Sequence, residues 1–354
     1  MLGFSVFLNS SEDPYPYIKQ MKEIGFQGVF TSIHIPEEDS SLYLARLTNL
    51  GKICQNLALD LSVDISGNAL EKIGLSFDQI DQVKALGVTC IRPDYGIDLQ
   101  TIANLSHEID VALNASTLTT ADISKLKEFK ADFSRMEAWH NYYPRPETGL
   151  SEDYFRLKNH FLRVHGLKLM AFVAGDDQKR GPLFEGLPTL ETHRKQRPFV
   201  AYLDLFNLYH VDKVYLGDPG ISGNSLQEFS NYLHNQQIKV RARRLSIQPK
   251  AMRLVHTNRQ DSGAYAIRSQ ESRLDFKGSV IEAENTIQRS MGTICLDNYL
   301  YQRYQGELQI ILKELPADPK VNVIGQVIEE DMDLLPYIGP GCKFQIEWMG
   351  GGRD

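Results

Sequence analysis

Acidic side chains recur just after short apolar runs over the first two-thirds of this sequence. Those in such positions are Asp64, Asp94, Glu147, Asp176, Glu185 and Asp218. Glycoside hydrolysis needs two carboxyl groups, one as proton donor and one as nucleophile or base. We predict that Asp94 and Glu147 do this work, because they would follow the fourth and sixth strands of one barrel. The other four are alternatives, with Asp64 and Glu185 first among them.

The segment from His140 to Leu150 concentrates groups that suit a sugar ligand. Its polar and aromatic members include His140, Asn141, Tyr143, Arg145 and Glu147. Pro144 and Pro146 fix their own φ angles and favour extended conformations in the residues before them, so the loop is predicted to be stiff. Ser151, followed by two acids, is a typical helix start. The local order is therefore strand, stiff polar loop and helix, which suits a loop that presents side chains to a ligand.

Arginine side chains are the expected binding groups for an anion. Paired N–H groups of arginine match phosphate or carboxylate more specifically than lysine does. Arg145 and Arg180 are the first candidates, and Arg194 and Arg259 are further ones. Together with the carboxylates they indicate an anionic sugar as substrate. The predicted substrate contacts are Asn9, His34, Arg92, Asn114, Ser116, His140, Asn141, Tyr143, Arg145, Asp176, Arg180, Asp218, Arg259 and Asp297.

Other chemistries find less support in the sequence. Metallohydrolases on a barrel usually carry His-x-His on the first strand, where this chain has Ser5, Phe7 and Asn9. An irregular site from His34, His140 and Asp94 would lack a recognisable ligand spacing. The chain also lacks a Gly-x-Ser-x-Gly elbow and a Walker-type loop. We therefore expect no metal and no other cofactor.

The elements that must position these residues alternate regularly between strand and helix. The predicted strands span residues 3–8, 28–33, 59–65, 88–91, 109–113, 133–139, 167–173 and 211–216. Most are followed by a helical pattern, as in 16–24, 40–57, 77–86 and 154–164. Eight such units in about 240 residues match the size of a (β/α)₈ barrel, whose active site lies at the carboxyl ends of the strands. A doubly wound open sheet is the alternative, but the Gly-rich first turn typical of that fold is missing.

The alternation of strands and helices ends near Arg241, and this predicts a second domain. Residues 241–249, with three arginines and a proline, are interpreted as a linker or its edge, so the barrel should span 1–240 and the second domain 248–354. Short strands without intervening helices follow, at 252–257, 265–268, 278–283, 292–296, 307–312, 321–327 and 344–348. Only 331–337 has a helical pattern. A small all-β barrel or sandwich is predicted.

Two polar clusters stand out in the predicted β domain. One runs from His256 to Asp261 with Arg268, and the other includes Asp297, Asn298 and Tyr299. They would either cap the barrel mouth and add ligand contacts or join the two domains. The sequence leaves both interpretations open.

Composition and charge narrow the class of protein. The chain has 354 residues and a net charge of -7, which argues against a nucleic-acid partner. Four widely spaced cysteines without a Cys-x-x-Cys pair are interpreted as reduced. The start of the chain lacks a basic segment and a cleavage site, and no apolar run approaches 18 residues, so we expect a cytoplasmic protein without membrane contact.

Several segments, taken together and in order, resemble one family. They are residues 3–10, 30–37, 92–96, 113–118, 140–150, 180–190, 256–259 and 306–310, with motifs such as Arg-Pro-Asp-Tyr-Gly and His-Thr-Asn-Arg. Nearly end to end, the chain is similar to the bacterial 6-phospho-N-acetylmuramidases. One departure is Pro93, where members of the family often have leucine; proline removes an amide donor at the exit of strand four.

The resemblance implies a TIM barrel followed by a cyclophilin-like β domain. It implies cytoplasmic hydrolysis of the β-1,4 bond in 6-phospho-N-acetylmuramyl-N-acetylglucosamine, a phosphorylated amino-sugar disaccharide, as a cell-wall recycling step after phosphotransferase uptake. The polar residues at the strand ends carry over as expected site residues, without an assigned role for each carboxylate.

Two further functions stay open at this stage. One is a phosphosugar-binding regulatory protein without turnover, and the other is an isomerase or lyase acting on a phosphorylated sugar. The sequence leaves the stereochemical course, the oligomeric state and the exact sugar preference undetermined.

Overall fold

A computed structural model describes residues 1–9, 12–33, 42–66, 70, 73, 75–246 and 254–349. The chain divides into two compact units, residues 1–226 and 227–354. The predicted boundary near residue 240 lies later than this division. The reason is that residues 237–244 form a strand of the second unit and not the start of a linker.

The first unit is built on a closed barrel of parallel strands. These are β1 (Leu2–Ser5), β2 (Gly28–Ser32), β3 (Asp60–Ile65), β4 (Cys90–Pro93), β5 (Asp110–Asn114), β6 (Met136–Trp139), β7 (Lys168–Val173) and β8 (Lys213–Leu216). Each strand pairs with the next in the sequence, and β8 pairs with β1 to close the barrel. The predicted (β/α)₈ fold is confirmed, and the open-sheet alternative is wrong.

Helices alternate with these strands. In the described part of the chain they are α1 (Tyr15–Ile24), α2 (Tyr43–Asn56), α3 (Ile80–Ala85), α4 (Leu99–Leu105), α5 (Thr120–Glu128), α6 (Glu152–Val164), α7 (Pro198–Leu203) and α8 (Gly223–Asn235). Local sequence explains several starts. Ser151 accepts the Tyr154 N–H at the start of α6, as predicted, and Thr119 forms a reciprocal capping box with Asp122 before α5.

Aromatic side chains fill the interior of the barrel. Phe30, Trp139, Phe172 and Tyr215 belong to one buried cluster, and the Trp139 and Tyr215 ring centroids are 5.0 Å apart. Gly3 and Gly28 face each other across β1 and β2, and both lie against the Tyr215 side chain. A methyl group at either glycine would overlap Tyr215, so these glycines make room for the largest interior ring.

The second unit contains a seven-stranded mixed sheet. Its strands are β9 (Gln237–Arg244), β10 (Val255–Thr257), β11 (Ala266–Arg268), β12 (Thr293–Asp297), β13 (Leu308–Ile311), β14 (Val321–Val327) and β15 (Lys343–Met349), in the order β10-β15-β9-β14-β12-β13-β11. β9 and β15 are parallel and the other neighbours are antiparallel. The short helix α9 (Ser272–Asp275) precedes residues 278–283, which were predicted as a strand but form none.

The interpretation of residues 241–249 as a linker is wrong for their first part. Arg241 lies in β9, where its backbone N–H and its guanidinium both donate to the buried Asp331 carboxylate. A charged residue on the outward face of a strand looks like a connector in the sequence when its partner lies 90 residues away. Within the described ranges, no helix combines the length and apolar character needed to cross a membrane.

The tight fit around Tyr215 makes a prediction. Gly3→Ala should lower the free energy of unfolding by about 1–3 kcal/mol, because the added methyl overpacks the barrel interior. Gly223→Ala is the control, since a methyl there meets no atom within 4 Å. Urea unfolding of both variants measures the difference, and equal stabilities would contradict this account of the interior.

Candidate active site

A buried ion pair lies at the carboxyl ends of β3 and β4. Asp64 and Arg92 are register partners on these strands, and Arg92 Nη1 is 2.7 Å from Asp64 Oδ1. Ser32, at the end of β2, donates to Asp64 Oδ2 at 3.3 Å. Arg92 Nη2 also donates to the side-chain oxygen of Asn141, which follows β6. One guanidinium thus ties together the ends of β3 and β4 and the loop after β6.

The environment shifts the protonation of both partners. Burial raises the pKa of Asp64, Arg92 opposes this, and the nearby Asp94 raises the pKa further. Burial alone would lower the pKa of Arg92, but Asp64 more than compensates and the net direction is upward. Arg92 therefore stays charged, while Asp64 is a carboxyl that holds a proton more readily than an ordinary aspartate.

Tyr142 lies over the barrel core beside this pair. Its ring centroid is 5.2 Å from that of Phe172 and 6.2 Å from that of Phe30. Burial, followed by the Asp64 charge, raises the pKa of Tyr142 to about 12, with Arg180 and Arg92 acting in the opposite direction. Its hydroxyl therefore remains a hydrogen-bond donor at neutral pH. The sequence analysis selected the adjacent Tyr143 and missed Tyr142. The one sequence signal for Tyr142 is its place in a pair of consecutive tyrosines directly after a strand.

Asp94 completes the set at the exit of β4. Pro93 ends that strand opposite Ile65, and the Asp94 backbone N–H donates to the Ile65 carbonyl. The Asp94 side chain is partly exposed and, within the part of the chain that the structure describes, makes no hydrogen bond or ion pair. We refer to Asp64, Arg92, Asp94, Asn141 and Tyr142 as the central cluster. Its predicted members Asp64, Arg92, Asp94 and Asn141 do come together.

The loops after β6 and β7 are joined by Glu191 and Arg194. The Glu191 carboxylate accepts the backbone N–H groups of Glu147 at 2.9 Å and Gly149 at 2.8 Å, and two guanidinium N–H groups of Arg194 at 2.6 Å each. Arg194 also donates to the carbonyls of Gly186 and Arg145. This bracing holds Glu147 at a φ of 71°, a conformation unfavourable for residues other than glycine. Arg194, considered above as an anion ligand, is instead engaged in this network.

Two predicted site carboxylates also act as braces. Asp218 is fully buried and accepts the backbone N–H groups of Gly175, Leu187 and Arg180 at 2.9–3.0 Å. Asp176 accepts the Ser222 N–H and hydroxyl and the Ser225 hydroxyl, each at 2.7 Å. Each carboxylate accepts three hydrogen bonds from residues that follow β7 or β8, so the structure engages both in holding these loops, and their contact with substrate stays a prediction.

His140 also has partners inside the fold. It is fully buried, its Nε2 lies 2.7 Å from Asn159 Oδ1, and its ring packs on Phe155, both residues of α6. Burial lowers the pKa of His140 to about 4, so the ring is neutral at physiological pH. It packs against α6, and its role as a substrate contact stays a prediction. His34 lies outside the described residues.

The other predicted contacts of the first unit lie in the loops around the mouth. Tyr143 hydroxyl and Ser116 hydroxyl are 3.2 Å apart, and Asn114 Oδ1 accepts the Ser116 N–H at 3.1 Å. Four more side chains are exposed or partly exposed; they are Asn9, Arg145, Glu147 and Glu185. Arg180 is partly buried, with its guanidinium 3.5 Å from the centre of the Phe7 ring.

The two predicted contacts of the second unit have local partners. Arg259 pairs with Asp261 at 2.9 Å. Asp297 is buried on β12, and its Oδ1 has no hydrogen-bond partner among the described residues. Burial, together with the neighbouring Glu307 and Asp318, raises the pKa of Asp297 to about 7. Glu307 itself is paired with Arg268 at 2.7 Å.

No group of three His, Cys, Asp or Glu side chains among the described residues is arranged to hold a metal ion. In the described part, the barrel mouth presents carboxyl, guanidinium, amide and phenol groups. This set suits proton transfer and the binding of hydroxyls and anions.

The bracing by Glu191 predicts a stability effect. Glu191→Gln should lower the free energy of unfolding by about 1–3 kcal/mol, because it weakens several hydrogen bonds to a charged group. The Arg194 hydrogen bonds lower the pKa of Glu191 most; burial opposes them, and the hydrogen bonds from the two backbone N–H groups lower it further. The pKa falls from its ordinary 4.5 to about 2. The folded pKa is the lower one, so the stabilisation is complete above pH 4.5 and is lost as pH falls towards 2.

Urea unfolding of wild type and Glu191→Gln across this range measures the effect. The difference between them should be constant near neutrality and shrink in acid. Glu108→Gln is the control, because Glu108 makes only an exposed pair with Lys84. A difference that does not vary with pH would contradict the assigned cause.

Asp297 predicts the opposite pH dependence. Its folded pKa of about 7 lies above its ordinary 3.8, so folding is penalised increasingly as pH rises from about 4 to 7. Asp297→Asn should therefore be more stable than wild type at pH 8 and close to it at pH 4. Unfolding curves of wild type and Asp297→Asn at the two pH values test this. A stability difference between the two proteins that is the same at both pH values would refute it.

A family model described as "6-phospho-N-acetylmuramidase, N-terminal" matches residues 2–231, and one described as "6-phospho-N-acetylmuramidase, C-terminal" matches residues 237–347. The search of curated proteins found no match.

Two solved structures are similar over nearly the whole chain. A conserved Enterococcus faecalis protein, titled as having an unknown function, is 45% identical with a TM-score of 0.89, covering 99% of this chain and 97% of the other. An uncharacterized B. cereus protein is 25% identical with a TM-score of 0.78 and 98% coverage of both. From the two family models and this end-to-end similarity, the chain belongs to the 6-phospho-N-acetylmuramidase family.

Proposed function

We propose that this protein hydrolyses the β-1,4 bond of 6-phospho-N-acetylmuramyl-N-acetylglucosamine. Membership of the 6-phospho-N-acetylmuramidase family supports a glycosidase. The observation that carries the proposal is the central cluster, where two carboxyls in unlike environments lie at neighbouring strand ends of a TIM barrel. Unlike environments are what separate the acid from the carboxylate in a glycosidase.

Asp94 acts as the carboxylate of the pair. Its side chain has no partner among the described residues, so it is available to the anomeric carbon or to an attacking water. It serves either as the nucleophile of a retaining mechanism or as the base of an inverting one. Asp94 was one of the two carboxylates that the sequence favoured.

Asp64 acts as the proton donor. Asp64 forms its ion pair with Arg92 before the reaction, but burial raises its pKa and makes it easier to protonate than an ordinary aspartate; the neutral acid then delivers its proton to the departing glycosidic oxygen. Once it has given up the proton, Arg92 at 2.7 Å stabilises the resulting carboxylate. Tyr142, held protonated, and Asn141 supply hydrogen bonds to sugar hydroxyl or amide groups. Glu147, which the sequence favoured together with Asp94 without assigning either a role, lies on the exposed braced loop and is the competing assignment for the donor.

Amide variants test these roles with the phosphorylated disaccharide as substrate and N-acetylglucosamine release as readout. Asp94→Asn and Asp64→Asn should each lower kcat by roughly 10²–10⁴-fold, the usual range for loss of an acid or base. Glu128→Gln, at the exposed end of α5, is the control and should behave as wild type. Absence of monosaccharide products with the wild type would refute the proposed function.

A second substrate separates the acid from the carboxylate. An aryl glycoside of the same phosphorylated sugar, with a leaving group of low pKa, departs without protonation. Asp64→Asn should therefore recover most activity on it, whereas Asp94→Asn should not. Recovery in Glu147→Gln instead would transfer the donor role to Glu147. Unfolding curves for each variant establish that activity is lost from folded protein.

The setting of the reaction follows from the proposed substrate. A sugar that is phosphorylated during phosphotransferase uptake is delivered in the cytoplasm, so we place the protein there, in cell-wall recycling. We also propose that the second unit, with its seven-stranded sheet, corresponds to the cyclophilin-like domain that the family resemblance implies.

A further inference from the structure

A cavity of about 1190 Å³ opens in the first unit beside the exit of β1. Its walls are the β1 exit, α1, α2 and the loops after β7 and β8. In TIM barrels the loops after the seventh and eighth strands frequently form a phosphate site with the start of a following helix. Here that helix start, at α8, is already occupied by the Asp176 carboxylate. An anion in this cavity would therefore need side-chain cations.

The charges around the cavity differ in their exposure to solvent. Its cationic members, Arg46, Lys179 and Arg180, are partly buried. Its acidic members, Glu12, Asp13 and Asp177, are exposed. The less exposed charges of the wall are therefore cationic. A phosphate monoester carries a charge of about −1.5 to −2 near neutrality and is matched by more than one cation, whereas a carboxylate needs one.

Arg180 is the most firmly placed of the three cations. Its backbone N–H is held by the buried Asp218 at 3.0 Å, and its guanidinium lies 3.5 Å from the centre of the Phe7 ring. It is also close enough to Tyr142 to lower that phenol's pKa. Arg180 thus lies at the junction of the cavity and the central cluster.

Tyr17 of α1 offers a neutral donor in the same wall. Its ring is partly exposed, but its hydroxyl oxygen is buried and has no hydrogen-bond partner in the described part of the chain. Burial raises the pKa of this phenol, so the hydroxyl keeps its proton. A buried donor without a partner is costly, and a bound ligand oxygen would satisfy it.

We propose that this cavity binds the 6-phosphate of the substrate, with Arg180 as the residue that selects the phosphorylated sugar and Tyr17 as a second donor. This assignment rests on the proposed function. It orients the substrate, because a phosphate held beside Arg180 leaves the sugar ring extending towards Tyr142, Asp64 and Asp94. Specificity for the phosphorylated sugar would then be separable from bond cleavage.

The test compares the muramyl disaccharide with and without its 6-phosphate. The readout is the ratio of the two kcat/KM values, because any effect of a variant on steps common to both substrates cancels. Arg180→Gln should lower this ratio by roughly 30- to 1000-fold, the range for removing one partner of a desolvated charge pair. Arg180→Lys should lower it less, and Tyr17→Phe by about 10-fold, as for one hydrogen bond to a charged group.

Arg135→Gln is the matched control. Arg135 precedes β6 at the opposite end of the barrel, where it pairs with Asp110, and its replacement should leave the ratio unchanged. A ratio unaltered in Arg180→Gln, Arg180→Lys and Tyr17→Phe would overturn the assignment. The assignment would also be overturned if the effect of Arg180→Gln disappeared with the corresponding disaccharide that lacks the lactyl group.

Binding of inorganic phosphate separates this proposal from the function it rests on. Calorimetry should detect binding to wild type, weakened at least 10-fold in Arg180→Gln and unchanged in Arg135→Gln. If wild type binds phosphate in this way but cleaves neither disaccharide, the proposed hydrolysis fails and the anion site stands. If it cleaves the phosphorylated disaccharide but phosphate binding ignores Arg180, the anion site fails and the hydrolysis stands.

Discussion

A buried ion pair constrains the mouth of this barrel. Asp64 and Arg92 are 8% and 5% exposed, and burying either charge alone would cost several kcal/mol. Each must therefore keep its partner and satisfy its remaining hydrogen-bonding groups. Ser32 and Asn141 meet part of that demand, and in doing so they fix the ends of β2, β3 and β4 relative to the loop after β6. The central cluster is rigid because its charges cannot be left uncompensated.

The same principle explains why the loops around the mouth are ordered. Asp218 and Glu191 each gather several backbone N–H groups from loops that have no regular secondary structure of their own. A carboxylate that accepts several N–H groups replaces the ladder bonds that a strand would have provided. Acidic residues in this fold therefore serve two purposes. Some hold loops in place and are saturated, and others, such as Asp94, are left available for chemistry.

The two functional regions divide their work by charge. The central cluster holds the acidic groups suited to breaking a glycosidic bond, and the less exposed charges around the cavity beside β1 are cationic, which suits an anion. Arg180 lines the cavity and its charge acts on Tyr142 of the central cluster, so the two regions are neighbours. An elongated substrate with one anionic end fits such an arrangement better than a compact one.

Apolar periodicity alone determined the architecture of the first unit. The strand predicted at 167–173 is observed as Lys168–Val173, and the other seven strands of the barrel overlap their predicted ranges. The first strand is shorter than predicted, the fourth is shifted by two residues, and the first three residues of 133–139 form a 3-10 turn capped by Asp132. β9 was missed because Lys239 and Arg241, on its exposed face, find their acidic partners far along the chain.

The sequence also determined where along the chain polar groups follow the barrel strands. It could not decide which of them are engaged by distant loops. Asp94, Asp176 and Asp218 each follow a barrel strand. Asp176 and Asp218 accept hydrogen bonds from distant loops, whereas the Asp94 side chain accepts none among the described residues. His140 and Tyr142 lie two residues apart, yet the His140 side chain meets the helix layer and the Tyr142 side chain meets the barrel core. Only the tertiary structure decides such cases, because the state of a polar side chain depends on partners that the fold, and not the local sequence, brings within hydrogen-bonding distance.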